Sequence, residues 1–181
     1  MPIIGSDGDY KQVLADAERL SSSGLQKIAN DEEISAKDRA DLTAASAQFQ
    51  GLIAFEPGKF APYLALGMIY RGLGNLEDSE RMLKQCLNNL PKSTDPAIVQ
   101  TAAEAKSQLS KVLLAQGKSE DALTEANLAV ETDRQNPSYL VTRASALIQL
   151  KRMEEAKADL KEALKMDPTL TRASGMLRLI K

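Results

Sequence analysis

The stretch ALGMIYRGLGNLEDSE, residues 65–80, sets Gly67, Gly72 and Gly74 close together and follows them with Glu77 and Asp78. Such a pattern answers either to a glycine-rich loop that cradles a phosphate or to a tight turn between two helices. A dinucleotide-binding loop requires a preceding β-strand and a third glycine, and Glu77 stands where that glycine belongs. The turn requires only that Gly74 end one helix in the left-handed region and that Asn75 to Asp78 begin the next. Gly67 then thins the first helix so that the second can approach.

Composition narrows the chemistry. The chain has 181 residues, 43% of them apolar and only 4% aromatic, with no Trp and no His. Alanine, leucine, lysine and glutamate dominate, which favours helices. Without His the commonest general base and the commonest metal ligand are both missing. The single Cys86 excludes an internal disulfide and fits a reducing compartment. The opening MPIIGSDGDYKQ shows no basic stretch followed by an apolar one, and no segment reaches the length of an apolar membrane span. A cytoplasmic location without direct membrane insertion is the expectation. Net charge is −2, unevenly spread: residues 1–58 carry 5 basic and 10 acidic groups, and residues 151–181 carry 8 basic and 5 acidic.

Working outward from the turn, the sequence repeats itself. With Gly74, Gly117 and Lys151 superimposed, residues 60–93, 103–136 and 137–170 fall into line as three segments of 34 residues. Before the turn Leu66, Leu109 and Arg143 align, then Gly67, Ser110 and Ala144, then Tyr70, Leu113 and Leu147. After it come Ser79, Ala122 and Ala156, then Leu83, Ala126 and Leu160, then Cys86, Ala129 and Ala163. Small residues in the first and last of these later sets predict two helices in close approach, with larger ones filling the space between.

This pattern resembles the tetratricopeptide repeat, a helix–turn–helix unit of the same length. Tyr63, Leu66, Gly67, Tyr70, Leu83 and Pro91 stand at that family's signature places, as do Leu140, Ala144, Leu147, Ala156, Leu160, Ala163 and Pro168. The middle segment departs from it, with Lys106 at the aromatic place and Arg134 at the proline place. The expected fold is all-α, a tetratricopeptide-type solenoid of antiparallel helix pairs with a C-terminal capping helix.

The expected divisions follow. Residues 1–59 form an N-terminal helical region with one degenerate repeat, in which Ala45, Phe49, Leu52 and Pro57 precede Ser79, Leu83, Cys86 and Pro91 by one repeat length. The run SSSG at 21–24 is placed to bend or split its first helix. Repeats at 60–93, 103–136 and 137–170 are interrupted by an insertion at 94–102, TDPAIVQTA. There Asp95 and Pro96 predict a helix start that lengthens the next helix by about 10 Å. Residues 171–181 cap the array, with Leu170, Ala173, Met176, Leu177 and Ile180 on its last apolar face and Arg172, Arg178 and Lys181 toward water.

The resemblance also implies a function, non-catalytic binding of another protein or peptide. First-helix residues in that family line a concave groove. Carried onto this chain, the lining is Leu64, Met68 and Arg71, then Ser107, Lys111 and Leu114, then Val141, Ser145 and Ile148. The basic clamp by which one subgroup holds chaperone C-terminal carboxylates is missing: its places hold Leu64, Met68, Gln108, Ser138 and Thr142. The groove so read suits an amphipathic segment.

No catalytic, cofactor or metal site is expected. Cys86 lacks a base, and the carboxylate pairs Glu120–Asp121 and Glu154–Glu155 are adjacent in sequence and so point apart on a helix. The basic C-terminal segment has no aromatic platform for nucleic-acid bases. An adaptor or assembly factor is the favoured reading. A dedicated chaperone, similar in size and repeat number to those that guard type III translocator proteins, and a self-assembling scaffold stay open beside it, as does a homo-oligomer through the last helix.

Overall fold

The structure, a computed structural model, describes residues 4–30 and 32–180. Lys181, expected to face water, lies outside the described residues, as do residues 1–3 and Asp31. Among the described residues there are nine α-helices and no strand. They gather into two compact units whose boundary falls between Leu90 and Pro91.

In the first unit α1 (Asp7–Ala29) and α2 (Ala36–Phe55) pair, and both pack on α3 (Ala61–Leu73), which pairs in turn with α4 (Leu76–Asn89). The helix is not split at SSSG. Ser21 Oγ donates to the Ala17 carbonyl at 2.7 Å and Ser22 Oγ to that of Arg19 at 3.1 Å, so these hydroxyls bond within the helix instead of competing with it. Gly24 has a different purpose: a Cβ there would lie 2.7 Å from Cγ of Leu42 on α2.

Asp38 ties the base of this hairpin. Its carboxylate accepts from Lys27 Nζ at 2.6 Å, Ser23 Oγ at 2.8 Å and Ser35 Oγ at 2.6 Å. It also closes a capping box with the Ser35 backbone. The core of the unit gathers Tyr10, Ala17, Ile28, Leu42, Ala45, Phe49, Leu52, Leu66 and Ile69. Burial of each large aliphatic side chain here contributes about 2 kcal/mol.

The second unit holds α5 (Pro96–Ala115), α6 (Ser119–Thr132), α7 (Pro137–Gln149), α8 (Met153–Met166) and α9 (Thr171–Leu179). Sequential pairs pack throughout, α5 with α6, α6 with α7, α7 with α8 and α8 with α9. Asp95 accepts from the Ala97 amide at 2.8 Å, which starts α5 at Pro96 and gives it 20 residues against 13 in α7. Ile98 and Val99 on the added turns are half-buried. Asn136 caps α7 in the same way ahead of Pro137.

The three aligned turns share one backbone. Gly74, Gly117 and Lys151 all take positive φ, at 87°, 78° and 61°. The next amide reaches back five residues in each case, Asn75 to Tyr70 at 2.8 Å, Lys118 to Leu113 and Arg152 to Leu147 both at 2.9 Å, which is the Schellman closure of a helix end. Equivalent backbone geometry at three aligned positions makes the turn reading of Gly74 a fact of the fold.

Lys151 does with a side chain what the other two do without one. Lys151→Gly relieves left-handed strain and raises unfolding free energy by up to about 1 kcal/mol, whereas Gly74→Ala or Gly117→Ala lowers it by about 1 kcal/mol; urea titration of the three variants checks the signs. The bonds from Lys27, Ser35 and Ser23 hold the Asp38 carboxyl well below its ordinary value of 3.8. Its contribution is therefore complete above about pH 4 and is lost as pH falls further through the folded value. Asp38→Asn flattens that acid limb of the stability profile, measured by thermal unfolding between neutral pH and pH 2.

Candidate functional site

The close helix approach anticipated at the small positions is built from one hydrogen bond written two ways. In the α3–α4 hairpin Ser79 Oγ donates to the Gly67 carbonyl at 2.6 Å. In α5–α6 the hydroxyl sits on the other helix, and Ser110 Oγ donates to the Ala122 carbonyl at 2.7 Å. The α7–α8 hairpin places Ala144 and Ala156 there, both fully buried. A Cβ on Gly67 would meet Leu83 Cγ at 2.6 Å, so glycine is required for that approach. These contacts aim the remaining faces of the first helices outward.

In the first unit α3 presents Leu64 and Met68, both half-buried. Arg71 is committed elsewhere: its Nη2 donates to the Ile28 carbonyl at 2.6 Å, satisfying an end group of α1. Gly72 lies directly against the Ile28 side chain, so α1 and α3 meet at this point. The sequence placed Arg71 in the groove lining; in the structure its guanidinium holds a helix end.

In the second unit Lys111 and Leu114 are half-buried on α5, while Ser107 and Val141 are buried. The Ser107 and Thr142 hydroxyls pair at 3.2 Å between α5 and α7, so Ser107 serves packing and offers no surface to a guest. Two clamp places are closed as well. Gln108 and Thr142 are buried, and Gln108 Nε2 donates to Glu104 at 2.7 Å.

Ser145 and Ile148 stand together in a cleft of about 660 Å³ between α7 and α9, completed by Gln149, Met153, Arg172, Met176, Leu179 and Ile180. Ser145 Oγ donates to the Val141 carbonyl at 2.9 Å and receives Arg172 Nη2 at 3.4 Å. Arg172 is exposed, as expected, and its Nη2 reaches Ser145 at the edge of the cleft. The sequence reading missed Leu179, which is 84% exposed, and treated Met176 and Ile180 only as a cover. The available signal was the number of apolar residues near the end of α9, more than one packing face uses.

A second group missed in the sequence is the pair Arg143–Asp159. Nε and Nη2 of Arg143 donate to the two carboxylate oxygens at 2.8 and 2.6 Å, and Asn127 stands near at 3.5 Å. These bonds hold the guanidinium in its charged form more firmly than usual. Arg143 aligns with Leu66, and Asp159 with Met82, so an ion pair replaces apolar packing in this hairpin. Burial pushes the Cys86 thiol up to about 12, so it stays protonated at neutral pH. Among the described residues no group of His, Cys, Asp or Glu is placed to hold a metal ion, and no helix is long and apolar enough to cross a membrane.

The tetratricopeptide repeat family model matches residues 61–89 and 137–170, leaving the divergent middle segment unmatched. Three solved structures share the fold. The first tetratricopeptide domain of Spaghetti (RPAP3), bound to the HSP90 peptide SRMEEVD, is 22% identical with a TM-score of 0.59, over 67% of this chain and 90% of that one. MamA from Desulfovibrio magneticus is 15% identical with a TM-score of 0.67, over 91% and 84%. TTC0263, a tetratricopeptide protein of Thermus thermophilus, is 18% identical with a TM-score of 0.63, over 96% and 91%. No curated protein sequence matches significantly. Residues 61–89 and 137–170 are tetratricopeptide repeats, and the chain has the all-α fold of these tetratricopeptide structures.

The ion pair gives a direct test of the alignment. Asp159→Ala leaves the guanidinium of Arg143 without its partner in a mostly buried place and costs about 2 kcal/mol. The double change Arg143→Leu with Asp159→Met restores the apolar pairing of the α3–α4 hairpin and leaves stability at or above that of the starting protein, as read by chemical denaturation.

Proposed function

We propose that the chain is a non-catalytic protein-interaction module, an adaptor or assembly factor, that holds a segment of another polypeptide against its first helices. The observation that carries this reading is the apolar cleft at Ile148, Met153, Met176, Leu179 and Ile180. Its size is that of sites that enclose a guest, and its walls are set by helix packing. A wall fixed before binding lowers the ordering cost of holding a flexible segment.

The RPAP3 domain with its bound HSP90 peptide supports polypeptide binding on this fold. The chemistry here favours a different guest. Leu64, Met68, Gln108, Ser138 and Thr142 supply no basic clamp for a terminal carboxylate. Apolar surface on α3, and on α7 with α9, fits an amphipathic segment. The proposed setting is the cytoplasm, with no nucleic acid, membrane or cofactor involved.

Affinity capture from the native lysate tests the reading. The unaltered protein retains a partner of defined stoichiometry, and Met68→Glu with Ile148→Glu loses it while the helical circular dichroism is unchanged. Capture that survives both substitutions assigns binding to another surface and overturns the proposal. The two single variants show which first-helix face is used.

A further inference from the structure

The cleft between α7 and α9 differs from the junction between α5 and α7. There two first helices lie side by side, joined by the Ser107–Thr142 pair and by Tyr139 Oη donating to Glu104 at 3.3 Å. α9 instead rests on α8 and reaches α7 through Arg172 and Ser145. The opening that results is walled by Ile148, Met153, Met176, Leu179 and Ile180. Leu179, at its edge, is 84% exposed, far more than Phe55, Leu128 or Met166 at 37–38%.

Two physical arguments select the guest. The first concerns backbone groups. The two oxygens in the lining are already engaged: Ser145 Oγ donates to Val141, and Gln149 Oε1 accepts from Ser119 Oγ at 2.8 Å. An extended peptide laid here would bury amide and carbonyl groups without partners, whereas a helix brings its own backbone bonds. Two helical walls also present ridges into which a third helix packs.

The second argument concerns charge. Arg172 is the one charged residue among the described lining, and α9 adds Arg178 and no acid. Residues 151–181 carry 8 basic against 5 acidic groups. A guest with carboxylates along its edge gains from that field, and a basic guest does not. The α9 of a second copy would set arginine against arginine, which argues against self-filling.

We propose that this cleft holds an amphipathic α-helix of a partner protein, with its apolar ridge on Ile148, Met176 and Leu179 and acidic residues toward Arg172 and Arg178. The assignment rests on the interaction-module reading and names the class of guest at that site.

Fluorescence anisotropy of synthetic helices with the whole protein decides it. The probes are a leucine–alanine–glutamate amphipathic helix, the same peptide with lysine for glutamate, and the acidic peptide with central prolines. The acidic helix binds, Leu179→Glu weakens it by at least about tenfold, Arg172→Glu shifts preference toward the lysine peptide, and the proline peptide fails. Equal binding of the proline peptide would replace the helix with an extended guest. Equal binding of the lysine peptide would remove the electrostatic argument. Binding indifferent to Leu179→Glu, or no binding by any probe, overturns the site. Light scattering that shows a dimer dissolved by Leu179→Glu would make the guest a second copy. Leu179 and Met68 belong to different units. Loss of this inference with lysate capture still sensitive to Met68→Glu therefore leaves the interaction-module reading standing.

Discussion

Every hairpin from α3 to α8 depends on one steric constraint, the distance at which the second helix crosses the first. At that crossing the side chains are Gly67 with Ser79, Ser110 with Ala122, and Ala144 with Ala156, all buried. Small residues let the backbones approach, and close approach puts carbonyl oxygens within reach of a hydroxyl from the other helix. The serine sits on α4 in one hairpin and on α5 in the next, and the oxygen it satisfies changes helix with it. What is held constant is the gap between helices, and either arrangement fills it. Larger residues then pack around the crossing: Leu66, Ile69 and Leu83, or Leu147 and Leu160.

The turns fix the angle at which that crossing is reached. A left-handed residue with the next amide bonded back to the helix allows only a short reversal, so the second helix starts at one direction and register. Gly74 and Gly117 meet the backbone requirement without strain. Lys151 meets it against its own preference, which shows that the packing of α7 on α8 outweighs the local cost. Beyond the turn, acids at Glu77, Asp78, Glu120, Asp121, Glu154 and Glu155 occupy the first turns of α4, α6 and α8, whose ends have no side-chain cap. Their adjacency in sequence has this electrostatic use.

Features governed by period and backbone were legible in the sequence, and features governed by side-chain partnership were not. The repeat length, the three turns, the start of α5 at Asp95–Pro96 and the buried small positions each follow from local rules that a single chain displays. SSSG misled because serine is read as a helix breaker in isolation, whereas Ser21 and Ser22 find carbonyls one turn back and Gly24 faces Leu42. The bonds of Arg71 and Arg143 were hidden for the opposite reason. An arginine at a first-helix position looks available until its partner is known, and those partners, the Ile28 carbonyl and Asp159, lie 43 and 16 residues away. Ser107 was lost to the surface for the same reason, since Thr142 lies 35 residues on.

The binding surface arises where the regular packing relaxes. Between α5 and α7 the first helices touch, and the residues that family resemblance places in a groove, Ser107 and Val141, are drawn into the core instead. Between α7 and α9 they do not close, because α9 is a short helix of nine residues seated on α8, with no second helix after it among the described residues. On α9 Arg178 is exposed, whereas Met176 and the following Ile180 line the cleft. The same asymmetry leaves Leu179 exposed at the edge of the cleft. A tighter seat on α7 would have buried more apolar surface and removed the opening, so the seating of α9 on α8 and the candidate binding site are two consequences of one packing compromise.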